Sequence, residues 1–174
     1  ENDFESLDVL SAMVINIDEY GHRKDIPVNS KLFYNKKLNK YRSETSFAFP
    51  EVKVGSIIEY KYKITAKSYG GLRDWAFQSE IPVYRSSYKL KIFPGHEVSY
   101  MVQYNPKYEV TVKSIRIENA IFFEMKNIPG MTDEPYMDAR KDYIQKVIFQ
   151  TTRYAEFSGS ANFMSTWKEV TNEL

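Results

Sequence analysis

Residues 57–65 alternate without a break. Ile58, Tyr60, Tyr62 and Ile64 hold one parity, and Glu59, Lys61, Lys63 and Thr65 the other. Successive side chains of a strand point to opposite faces, so this stretch predicts a strand with one packed and one wet face. The apolar parity is expected inside, and Gly55 precedes the run as a turn residue.

The same period recurs along the chain. Tyr84, Ser86, Tyr88, Leu90 and Ile92 alternate with Arg85, Ser87, Lys89 and Lys91. Val98, Tyr100, Val102 and Tyr104 form another face, which Asn105-Pro106 ends. Val110 and Val112 oppose Thr111 and Lys113, and Ile121, Phe123 and Met125 oppose Phe122, Glu124 and Lys126. Nearer the start, Val9, Ser11, Met13, Ile15 and Ile17 give a longer, weaker pattern, and Tyr143 to Phe149 reads as a last strand. Tyr20-Gly21, Phe49-Pro50, Gly70-Gly71, Pro94-Gly95 and Pro129-Gly130 punctuate these runs. Many short strands with frequent turns predict an all-β fold, an antiparallel β-sandwich. Tyr, Phe, Val, Ile and Thr suit such pleated surfaces, and 14 Tyr and 11 Phe are present.

The C-terminus reads differently. Thr166 and Glu169 match a capping box, and Trp167, Val170 and Leu174 share one helical face. The expected organisation is therefore a sandwich domain over 1–154, then a linker and the start of a helix over 155–174. A helix that begins there is expected to lead into a further domain.

Several chemistries find no support. Cysteine is absent, which removes thiolate nucleophiles, disulfides and Cys-based zinc sites. With 24 basic and 23 acidic residues spread along the chain, no basic face marks a nucleic-acid partner. No apolar run reaches the ~18 residues of a membrane span. The two histidines, His22 and His96, lie in polar turns without a serine-elbow motif. Asn16 to Pro27 imitates a calcium loop but places Tyr20 and Pro27 where oxygen ligands belong. Asp133, Glu134 and Asp138 sit among Arg140, Lys141 and Asp142, the ordinary make-up of a solvated loop. No catalytic residue, metal or cofactor is expected.

Binding is the remaining class. Trp75 and Phe77 share a strand face beside Gly70-Gly71. They could stack on a sugar or anchor a peptide, although core burial is the commoner fate of large aromatics. The stretch Asn127–Asp142 is long and Pro-rich for a hairpin, and long ordered loops tend to carry function. Glu134, Tyr136 and Met137 are its candidate contact residues, with Trp167 on the path to a neighbouring domain.

Three blocks carry a family resemblance: Phe47-Ala48-Phe49-Pro50 with Val54 to Tyr62; Trp75-Ala76-Phe77-Gln78 with Ile81-Pro82-Val83; and Asn127-Ile128-Pro129 with Glu134 to Met137 and the strand to Gln150. In order and spacing they resemble the bacterial domain of unknown function that precedes transglutaminase-like domains. The resemblance implies a periplasmic, cell-surface or secreted protein of Gram-negative bacteria. It implies a β-sandwich followed by a papain-like transglutaminase or protease core that carries the catalytic Cys, His and Asp. It therefore implies a non-catalytic accessory module whose partner is that downstream domain. The alternative is a module that binds glycan or peptide.

Overall fold

A computed structural model describes residues 5–40, 42–66, 72–132, 136–156 and 159–162. The fold is all-β, and every strand pairing among the described residues is antiparallel. The single sandwich expected over 1–154 gives way to two compact units, Glu1–Gly70 and Gly71–Leu174. The reason is that no described strand pairs across that boundary, so each unit closes its sheets locally. The helix expected from Thr166 lies outside the described residues.

In the first unit β1 (Glu5–Ile17) is central, with β2 (Arg23–Pro27) on one side and β5 (Ile57–Ala66) on the other. Between them in sequence, β3 (Phe33–Lys37) and β4 (Ser43–Phe47) form a hairpin. β1 carries a bulge. Its pairing with β5 slips between Val9 and Ser11, which leaves Leu10 as an extra residue, 55% exposed. A bulge inverts the parity beyond it. The face of Leu7 and Val9 therefore continues through Ala12, Val14 and Asn16, opposite Tyr60 and Ile58. Ala12, Val14 and Asn16 are buried. The single parity expected from Val9 to Ile17 is corrected by this slip: Ile17 is exposed, while Ile15, on the face opposite Ala12, Val14 and Asn16, stays buried. Asn16 is satisfied by the loop beside it: its Nδ2 donates to the Glu51 carbonyl at 3.1 Å, and Ser56 Oγ donates to its Oδ1.

β5 has the predicted strand and faces but not the predicted burial. Ile58, Tyr60, Tyr62 and Ile64 are 43–56% exposed. As the edge strand of a three-stranded sheet, β5 has a packed neighbour on one side and none of the described strands on the other. Aromatic cover comes from the hairpin, where Phe47 stacks on Phe33 at 5.1 Å and meets Tyr60 edge-on at 6.0 Å.

The second unit is built from two sheets. One runs β7 (Val83–Lys91), β10 (Ala120–Ile128), β9 (Val110–Ile115). The other centres on β11 (Lys146–Glu156), which pairs with β8 (Glu97–Gln103) along one edge and with β6 (Trp75–Ala76) and β12 (Gly159–Asn162) along the other. Their inner faces meet through Leu90, Phe123, Met125 and Ile128 from one sheet and Val147 and Phe149 from the other, with Phe77 joining them. Phe123 is wholly buried, edge-on to Tyr100 at 4.9 Å and to Phe149 at 5.7 Å. Such pairs contribute about 0.5–1.5 kcal/mol each beyond area burial. The parities of β7, β8 and β10 are those read from the sequence, although Tyr84, Tyr100 and Tyr104 are exposed and Glu124, on the outer parity of β10, is buried. The linker expected from residue 155 is instead the end of a hairpin, with Arg153 opposite Asn162 and Glu156 opposite Gly159. Gly and Ser suggested a spacer, but backbone pairing to the already fixed β11 overrides their weak strand preference.

Candidate binding surface

The stretch after β10 is tied to its own unit by backbone and glutamine contacts. Gly130 packs so closely on residues 80–81 that a Cβ there would stand 2.5 Å from the Glu80 carbonyl oxygen. The Met131 amide donates to the Ser79 carbonyl at 2.9 Å, and Gln78 Nε2 donates to the Pro129 carbonyl at 3.1 Å. Arg140 pairs with Glu80. A 3-10 turn at Arg140–Asp142 follows, and Gln103 Nε2 donates to the carbonyls of Asp142 at 2.9 Å and Ile144 at 3.0 Å. Buried Gln145 accepts at Oε1 from the Asn105 backbone N–H, and its backbone N–H donates to Gln78 Oε1 at 3.3 Å. A glutamine offers both donor and acceptor, so Gln78, Gln103 and Gln145 can satisfy backbone groups that no strand reaches.

Within this framework Tyr136 is fully exposed, with φ at +67°. A bulky side chain in the left-handed region costs about 1–3 kcal/mol, and such strain concentrates at functional sites. Met137, next to it, is half-buried, and Asn127 at the other end of the stretch also has a positive φ, +52°. Glu134 and Trp167 lie outside the described residues.

Trp75 and Phe77 face inward. Trp75 is half-buried, stacked on Tyr88 at 5.1 Å, and its Nε1–H donates to Ser86 Oγ at 3.2 Å. Phe77 is 1% exposed in the core, which leaves its ring no free surface. Burial also raises the Tyr88 phenol above its ordinary value.

The histidines occupy turns. Asp18 accepts from the backbone of Tyr20 and His22 and from the His22 ring at 2.9 Å. The His22 backbone N–H contributes most to holding the Asp18 carboxyl below its ordinary value. His96 Nδ1 lies 3.3 Å from the Pro94 carbonyl. Among the described residues no three His, Asp or Glu gather as metal ligands, and no helix is long and apolar enough to cross a membrane.

One feature had no sequence signal. A cleft of about 470 Å³ opens beside β8 and β9, lined by Tyr104, Pro106, Tyr108 and Val102, Val110 and Val112. Asn105-Pro106 looked like a plain strand end. Gln103 and the Asn105 amide, held by the next segment, make it one wall of a concavity.

No curated protein matches the chain. A crystal structure of a candidate protease from Parabacteroides distasonis is similar over 84% of this chain at 16% identity, with a TM-score of 0.66. At that identity the likeness concerns the fold. The chain spans 30% of that protein's length. The family profile of the domain of unknown function DUF3857, for which a structure is solved, matches residues 1–130. With most of its length matched, the chain belongs to the DUF3857 family.

Proposed function

We propose that this chain is a non-catalytic accessory module of an exported bacterial protein, docking on and positioning a neighbouring transglutaminase-like or protease domain. The observation that carries the reading is Tyr136, a fully exposed aromatic on left-handed backbone, beside a stretch whose flanks are tied down by Gly130, Gln103 and Gln145. Holding an aromatic in that state favours a partner that buries it, because preorganised aromatic anchors dominate interface energetics. The likeness to a candidate protease of which the match covers only 30% supports the same reading, since such a protein has room for a separate catalytic domain.

The test compares amide hydrogen exchange in this chain and in a polypeptide that also carries the neighbouring domain. Added protection across residues 127–142 in the longer protein is expected. Identical protection in both overturns the docking role. A second reading rests on the cleft beside β8 and β9. Its volume falls in the ~300–1,000 Å³ range of ligand sites, and Tyr104, Pro106 and Tyr108 could stack on a sugar or an extended peptide. Ring-proton shifts of Tyr104 or Tyr108 on titration with oligosaccharides or peptides would favour it.

A further inference from the structure

The two edges of the first unit's sheet differ. β2 is five residues long, ends in Pro27 and carries the Arg23–Asp25 ion pair, the usual means of blunting an edge. β5 is ten residues long, has neither Pro nor Gly, and is exposed at every residue. Its outer edge pairs with no described strand. Lys61 and Lys63 form no ion pair among the described residues, although Asp8 lies opposite Lys63 on β1.

The sequence of β5 is also a near-palindrome about Lys61. Reading outward, Tyr60 mirrors Tyr62, Glu59 mirrors Lys63, and Ile58 mirrors Ile64. In an antiparallel pair related by a two-fold axis at one residue, each position meets its mirror position on the same face. Two copies of β5 aligned this way would place tyrosine against tyrosine, isoleucine against isoleucine, and Glu59 against the partner's Lys63, twice. Lys63 would then lie between Asp8 of its own chain and the partner's Glu59. The one unfavourable contact is Lys61 against the partner's Lys61.

We propose that β5 is a self-association edge, where two copies of this chain join antiparallel about Lys61 into a continuous six-stranded sheet. A second copy is the occupant because the charge pattern complements itself, which an unrelated strand would match only by chance. The central lysine pair keeps the association reversible and sets its register.

Sedimentation equilibrium of the full chain over a wide concentration range tests this. A closed monomer–dimer equilibrium is expected. Glu59→Lys and Lys63→Glu each replace two attractive cross-strand pairs by repulsive ones, and each should raise the dimer dissociation constant about tenfold or more. The double variant restores complementarity and should return to within about threefold of the parent. An equimolar mixture of the two single variants should form heterodimers. Lys61→Thr should tighten the dimer. All three positions are exposed, and circular dichroism confirms that each variant is folded. A chain that stays monomeric at the highest concentration, a dimer indifferent to these charge changes, or open-ended growth would each overturn the proposal.

Discussion

Replacing Gly130 by Ala tests how the second unit holds its irregular stretch. The added Cβ would lie 2.5 Å from the Glu80 carbonyl oxygen and 3.2 Å from the carbonyl carbons of Glu80 and Ile81. These are backbone atoms, so no side chain can swing aside. One segment must move, and two contacts hold them together at that point: Met131 N–H to the Ser79 carbonyl, 2.9 Å, and Gln78 Nε2 to the Pro129 carbonyl, 3.1 Å. Overpacking costs about 1–3 kcal/mol. Each hydrogen bond lost adds about 0.5–1.5 kcal/mol. The combined destabilisation should be about 2–4 kcal/mol, since strain and hydrogen-bond loss partly substitute for one another. Urea unfolding followed by tryptophan fluorescence measures it, because both tryptophans belong to the second unit. The midpoint should fall with the m-value unchanged, and the Met131 amide should lose exchange protection. A change below about 0.5 kcal/mol, the range of an ordinary surface substitution, would refute the close approach as a constraint.

Other outcomes follow from burial and charge. Phe123→Ala should cost about 3–5 kcal/mol, whereas Ile58→Ala, at a site 45% exposed, should cost about 1–2 kcal/mol; the reverse ranking in urea melts would contradict the placement of the core. The Glu118 carboxyl is held below its ordinary value first by the Lys89 hydrogen bond. For Glu124, burial pushes upward most, but Arg85 and Lys126 together outweigh it and the net direction is down. Carboxyls depressed in the folded state stabilise it above their unfolded value, and that contribution is lost as pH falls through the folded value. Thermal stability should therefore drop progressively below about pH 4.5, and Glu124→Gln should flatten that acid limb; a melting temperature level down to roughly pH 2.5 would show that these pairs do not couple to folding. Deleting Leu10 removes the extra residue and leaves Ser11 opposite Lys61, with Ala12, Val14 and Asn16 still on the face of Leu7 and Val9, so the first unit should keep its cooperative unfolding by far-ultraviolet circular dichroism; loss of that transition would contradict the bulge assignment.

The alternation of Ile58 to Ile64 revealed a strand and its two faces, because period two survives wherever backbone pairing is regular. It could not reveal that the strand is an edge, since burial depends on what lies across it. The inward residues Ser86, Tyr88 and Leu90 were legible for the same reason, as their strand packs on a complete second sheet. The bulge at Leu10 is invisible because a one-residue slip looks in sequence like a weak pattern, as the residues of β1 do. β3 and β4 are short and polar, and they depend on the Phe33–Phe47 contact rather than on propensity. At the candidate surface, Pro129 and Pro135 marked the stretch as irregular. What holds it is Gln78, Gln103 and Gln145 reaching backbone groups about 40 to 70 residues away, which no local pattern encodes.

The confinement of strand pairing to each unit has a consequence for synthesis. Every described pairing of the first unit joins residues between 5 and 66, and every one of the second joins residues between 75 and 162. Translation proceeds at roughly 5–20 residues per second, and domains tend to fold in order of emergence. The first unit has all its strands available once β5 has left the ribosome, seconds before β11 can join β8. A stalled nascent chain carrying residues 1–70 outside the exit tunnel should already resist protease, and the second unit would then fold beside a finished neighbour.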